Sequence, residues 1–241
     1  MQLVNAKSWR PWACVLAVCA ALPPLAGCHD GPLYGLKTMN PYYSMKQWKA
    51  DEALGPTDHV RRQELAKLVD VMPKLPPERQ VYWTEHLRQV MEHDTSPEMR
   101  RLAVLASGRT TLPQASVIVA DGIKDESLKV RLAACEVLGT RTDSESTRLL
   151  AETAASTTDV DVRNAAYAAL GNHRGPVAVE ALRLALENRD PATRSLAVQS
   201  LRSTTGKNYG DDPDVWLAAL GGEKVSEQPV QIADRLKSML Y

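Results

Sequence analysis

Asp161 to Gly171 reads "DVRNAAYAALG", and Lys129 to Gly139 reads "KVRLAACEVLG", nearly the same line written 32 residues earlier. Aligning on the arginine extends the series in both directions. "PEMRRLAVLASG" places Arg100, "LKVRLAACEVLG" Arg131, "VDVRNAAYAALG" Arg163 and "PATRSLAVQSLR" Arg194, at spacings of 31, 32 and 31. Self-similarity at a fixed period of this length is the mark of a solenoid, in which each unit buries its apolar face only against its neighbours.

Within each unit the apolar positions fall at i, i+3, i+4, i+7 and i+8, the stripe of one helix face. They are Val130, Ala133, Ala134, Val137 and Leu138, then Val162, Ala165, Ala166, Ala169 and Leu170. The fourth unit has Thr193, Leu196, Ala197, Ser200 and Leu201. Alanine at so many of these places lets stacked helices approach closely. Four residues before each arginine stand Ser96, Ser127, Asp159 and Asp190, all good N-cap types. Pro97 and Pro191 follow at the first helical position, where proline is tolerated. Gly108, Gly139 and Gly171 are expected to close three of the helices in a left-handed conformation. Further helices are expected at about Pro113–Gly122, Ser144–Ala155 and Pro176–Glu187. Each unit is then a helix, a short turn and a second helix. The fold class is all-α, a right-handed α-solenoid of stacked helix pairs over residues 58–220.

The lines of form D-x-x-x-V-R-x-x-A-A-x-x-L-G resemble HEAT repeats, in particular the short HEAT-like subtype of about 30 residues. In that family an aspartate six residues before the basic residue often bonds between adjacent repeats. Asp94/Arg100 and Asp125/Arg131 match; Thr157 and Asn188 replace the aspartate later, which puts the ladder in doubt there. The resemblance implies that the second helices line a concave surface. Some short HEAT-like proteins resemble bilin lyases, so the alternatives to a scaffold are an enzyme attaching tetrapyrroles to partners and a structural envelope lipoprotein without a specific ligand. A secretion signal argues against the enzyme, since that substrate would be cytoplasmic.

The ends differ from the middle, as solenoid caps should. Thr57–Met72 and Pro76–Asp94 read as two amphipathic helices. At the far end Asp212 is an N-cap, Pro213 follows it, and Trp216 is placed to cover the last repeat. Residues 221–241 read as a linker and a short C-terminal helix, and residues 28–57 as a tether. The line "NPYYSMKQWKADEALGPT" in that tether resembles the leader of bacterial HEAT-repeat lipoproteins.

Residues 1–27 read as a targeting segment. Lys7 and Arg10 precede the apolar run "WACVLAVCAAL", Trp12 to Leu22. Its eleven residues fall short of the roughly 20 that a membrane span needs. "LAGC", Leu25 to Cys28, follows and resembles a bacterial lipobox. The resemblance implies cleavage before Cys28, diacylation through its sulfur and acylation of the new amine. A second chain on one residue suits firm anchoring, because a single chain binds membranes only marginally. The expected address is the non-cytoplasmic side of a membrane in the cell envelope. Of the four cysteines Cys14 and Cys19 leave with the signal and Cys28 is lipidated, so Cys135 remains alone without an intrachain disulfide.

Composition excludes several functions. Lys plus Arg and Asp plus Glu are both 29, so no net charge draws the chain to nucleic acid. The histidines are His29, His59, His86, His93 and His173, without the spacing of a metal site. "TTGKNYG" lacks the rest of a phosphate loop, and no G-x-S-x-G occurs. No cofactor, metal or catalytic residue is expected. Cys135, among alanines, reads as a buried inert thiol. One row stays open: Val104, Cys135, Tyr167 and Val198, each four residues after its arginine. It either packs between repeats or forms a shallow apolar groove, rimmed by Arg101, Glu136, Asn164 and Gln199, for a protein partner.

Overall fold

The computed structural model describes residues 55–228. The targeting segment with Cys28, nearly all of the tether and the expected C-terminal helix lie outside them. Ten α-helices and one 3-10 turn, Met72–Lys74, make up the described fold. They are α1 (Asp58–Val71), α2 (Pro77–His93), α3 (Pro97–Ser107), α4 (Pro113–Gly122) and α5 (Leu128–Thr140). Then follow α6 (Ser144–Ser156), α7 (Val160–Leu170), α8 (Pro176–Leu186), α9 (Pro191–Thr205) and α10 (Pro213–Leu220). No helix among the described residues is long and apolar enough to cross a membrane.

The helices stack as an α-solenoid in two layers. The odd helices α1, α3, α5, α7 and α9 pack in series; α4, α6 and α8 each pack beside both odd neighbours, α2 packs on α3 and α4, and α10 on α8 and α9. The periodic arginines all lie on the odd helices. Their apolar stripe is the core: Val130, Ala134, Val162, Ala166, Leu170, Ala197 and Leu201 are almost wholly buried. One apolar cluster runs without interruption from Val104 to Trp216, and a second joins α1 to α4 through Leu65, Leu87, Ala103 and Ile118.

Of the three periodic glycines Gly108 and Gly171 close α3 and α7 as expected, but not in a left-handed conformation. Gly108 and Gly171 have φ of −64° and −57°, and Gly139 lies inside α5. None is left-handed. All three are also contact points. A Cβ on Gly108 would lie 2.6 Å from a Val137 methyl. One on Gly139 would lie 2.9 Å from the Ala169 Cβ, and one on Gly171 3.2 Å from the Ser200 Cα. Each glycine thus receives the residue six places after the next unit's arginine. In the fourth unit the same position is Arg202, which donates to Asn208 and Asp211. The left-handed terminus there is Gly206, with φ of 72°.

All four expected N-cap residues stand at helix starts, but they work in two ways. Asp159 accepts from the amides of Asp161 and Val162, and Asp190 from those of Ala192 and Thr193. The Ser96 and Ser127 hydroxyls make no cap bond. Their own amides donate to Asp94 and Asp125, each at 2.8 Å. At the far end Trp216 is fully buried, donates through Nε1 to the Gly210 carbonyl at 2.8 Å, and meets Tyr209 edge-on.

Candidate functional site

The row Val104, Cys135, Tyr167 and Val198 is no surface groove. The four residues are 0, 0, 7 and 2% exposed, and all belong to the apolar core. The reason is geometric. Four residues after the arginine is about one helical turn on, and so is close to the same face. The arginine itself is held between units, so the row beneath it is enclosed. Burial pushes the Cys135 thiol up to about 12, which keeps it protonated and inert.

The arginines form a ladder, in a register the sequence did not show. Four of the five odd-helix arginines reach a carboxylate further along the stack. Arg61 donates to Asp94 at 2.5 Å. Arg100 clamps Asp125 with two bonds of 2.8 and 3.0 Å. Arg131 donates to Asp159 at 2.9 Å and Arg194 to Asp214 at 2.6 Å. Within its own unit an arginine bonds a backbone carbonyl rather than the carboxylate: Arg100 with Asp94, Arg131 with Asp125, Arg163 with Thr157. The loss of aspartate at Thr157 is made good by Asp159. The loss at Asn188 is not. Asp190 turns back on the Thr193 amide and hydroxyl, and Asn188 only accepts the Asp190 amide. Among the described residues Arg163 has one hydrogen bond, to the Thr157 carbonyl at 2.7 Å, and no carboxylate partner.

A cavity of about 750 Å³ lies at this missing rung. Ala151, Ala154 and Ala155 of α6 form one wall, and their small side chains leave the depth. Val177, Ala181 and Leu184 of α8 form the other. Tyr167 lines it from α7 and Arg163 and Asn188 close one end, where the last turn of α6, the first turn of α7 and the residues after α8 meet. Val177 and Leu184, two turns apart on one side of α8, are 50 and 52% exposed. The Tyr167 hydroxyl has no hydrogen-bond partner among the described residues, and burial raises its pKa while Arg163 opposes the rise. Glu180 stands on the rim but is engaged by Arg183, through two bonds of 2.8 and 3.0 Å.

Of the residues expected to form a site, only Tyr167 lines this cavity. The α8 residues were missed, although a signal was present. "PVAVEALRLAL" has eight aliphatic residues in eleven, more than one buried stripe uses. Ala178, Leu182, Ala185 and Leu186 supply the core, Val179 and Ala181 pack half-buried against it, and Val177 and Leu184 are the surplus.

A larger cavity of about 980 Å³ lies between α4 and α6, and Arg141, which lines it together with Arg109, is committed to the protein. Arg141 donates to the carbonyls of Ser107 and Thr110 and to the Ser116 hydroxyl. No group of His, Cys, Asp and Glu among the described residues is arranged to hold a metal. His173 is buried between Thr147, 2.8 Å from Nδ1, and the Leu138 carbonyl, to which Nε2 donates at 3.0 Å, a packing role.

Residues 84–171 and 119–202 each match the family model for HEAT repeats. This stretch of the chain is a HEAT-repeat array. No curated protein matches the chain. HEAT repeats typically serve protein interaction without catalysis, and the cavity at α6–α8, with apolar walls and a charged end, is chemistry suited to that.

Proposed function

We propose that this HEAT-repeat chain is a lipid-anchored scaffold that captures a protein partner on the non-cytoplasmic side of a membrane. The observation that carries the reading is the cavity between α6 and α8. It pairs exposed aliphatic walls, Val177 and Leu184, with one uncommitted guanidinium, Arg163. Interfaces are built in this way, from an apolar centre and a few polar groups that fix orientation. The stack supplies rigid display, since every unit is buttressed by its neighbours. The anchor is supported by the lipobox-like "LAGC" that ends at Cys28.

A photo-crosslinking amino acid placed at Val177 in living cells tests the reading. Irradiation should join the chain to one main protein, while the same probe at Ser203, an exposed position on α9, should not. In the same cells Cys28→Ala should leave the protein uncleaved or release it from membranes. Equal, diffuse adducts from both positions would remove the scaffold reading; membrane retention and unchanged processing of Cys28→Ala would remove the anchor.

A further inference from the structure

The missing rung says more than that something binds. On four of the five odd helices an arginine is neutralised by a carboxylate further along the chain, just before the next odd helix for Arg61, Arg100 and Arg131 and on α10 for Arg194. At Arg163 the backbone arrangement is the same, down to the carbonyl bond with Thr157. Asn188 also keeps the turn that Asp94 and Asp125 make, accepting the amide two residues on at 2.9 Å. Asn188 carries no charge, and Asp190, at the position from which Asp159 meets Arg131, is held by the Thr193 amide and hydroxyl instead. A guanidinium in this setting is half-buried beside alanines, so an anion there is desolvated and its attraction is strengthened.

The surroundings restrict what can bring that anion. The apolar walls run from Leu184 to Val177, two turns of α8 or about 10 Å. The polar atoms beside Arg163 are a free phenol, on a tyrosine 93% buried, and the Asn188 amide, which suit a peptide backbone.

We infer that the cavity takes an acidic apolar peptide segment of a partner protein, whose carboxylate completes the Arg163 rung while its aliphatic side chains enter between α6 and α8. This rests on the scaffold reading and specifies its partner. Glu180 does not repel such a segment strongly, because Arg183 already holds it. The segment's acidic residue lies at the end where α6 and α8 finish, and its aliphatic residues point toward Pro176.

The decisive variant is Asn188→Asp. It restores in cis the rung that Asp125 makes with Arg100, and so removes the vacancy without removing any wall. Random dodecapeptides displayed on phage are selected against the full chain held in detergent, and the selected peptides are titrated. The expected peptides carry Asp or Glu beside Leu, Ile or Val. They should bind Asn188→Asp about tenfold or more weakly, while that variant melts at the same temperature as the parent or above it. Arg163→Gln, which keeps a donor for the Thr157 carbonyl, should lose the same peptides. Selection of no peptides, of peptides without an acidic residue, or of peptides that bind all three proteins alike would overturn the inference. So would palmitate binding abolished by Asn188→Asp with no peptide selected, which would assign the cavity to a lipid carboxylate. Crosslinking from Val177 that persists undiminished in Asn188→Asp would leave the scaffold standing and remove this inference alone.

Discussion

At the scale of a residue the most demanding position is Gly139. Two effects oppose each other when it becomes alanine. Alanine inside a helix is favoured over glycine by about 1 kcal/mol. Against this, the new methyl would sit 2.9 Å from the Ala169 Cβ and 3.1 Å from its Cα, where backbone must move. Overpacking of a tight contact costs about 1–3 kcal/mol. The contact is between two helix backbones, so the second effect should win. Gly139→Ala should lower the urea midpoint by the equivalent of about 1 kcal/mol, the middle of the overpacking range less the helix gain. A midpoint equal to the parent's would show that α5 and α7 separate freely. The same logic explains why three of the four units carry glycine here and the last does not. Arg202 has no further odd helix to receive.

At the scale of an element the helix starts decide acid stability. The Thr193 hydroxyl and the Ala192 and Thr193 amides hold the Asp190 carboxyl below its ordinary 3.8. For Asp159 burial raises the pKa, but the Val162 amide, the Arg131 guanidinium and the Asp161 amide outweigh it. A carboxylate whose pKa is lowered on folding binds protons less readily folded than unfolded. Its stabilisation is therefore complete above the unfolded value, about 3.9 for aspartate, and fades as pH falls through the folded one. Guanidinium midpoints should hold steady from pH 7 to about 5 and decline below about 4. Asp190→Asn keeps an N-cap acceptor but cannot titrate, so its decline should be shallower. An identical acid slope in parent and variant would take this cap out of the account.

For the whole molecule, the ladder couples units with unequal force. The Arg100–Asp125 side chains are 7 and 5% exposed, whereas Asp214, partner of Arg194, is 76% exposed. Removing one charge of a buried pair costs about 3–5 kcal/mol, because the other is left unpaired. An exposed pair contributes roughly 0–1 kcal/mol. Asp125→Asn should therefore depress thermal stability severely and Asp214→Asn hardly at all. Calorimetry giving equal losses would mean that the rungs are not graded by burial.

Much of this architecture was legible in one chain. The period of the arginines, the 3.6-residue stripe from Val130 to Leu138, and the caps at Asp159 and Asp190 are local patterns. They express the geometry of a single helix. The repeat then makes neighbours alike, so a local pattern written four times specifies a stack. Three things escaped it. That Gly108, Gly139 and Gly171 admit a neighbouring helix depends on what arrives 29 or 30 residues later. Which carboxylate an arginine meets depends on the angle between units, and Asp125 serves Arg100 rather than Arg131. Which aliphatic residues stay exposed depends on which faces of α8 are covered, and nothing covers Val177 and Leu184. Sequence alone thus determined helix, period and fold class, because those follow from backbone geometry and side-chain spacing. Only the tertiary structure decided the ladder's register, the burial of the Val104–Cys135–Tyr167–Val198 row and the vacancy at Arg163. Each of these is a distance between atoms of different units, set by how the helices pack.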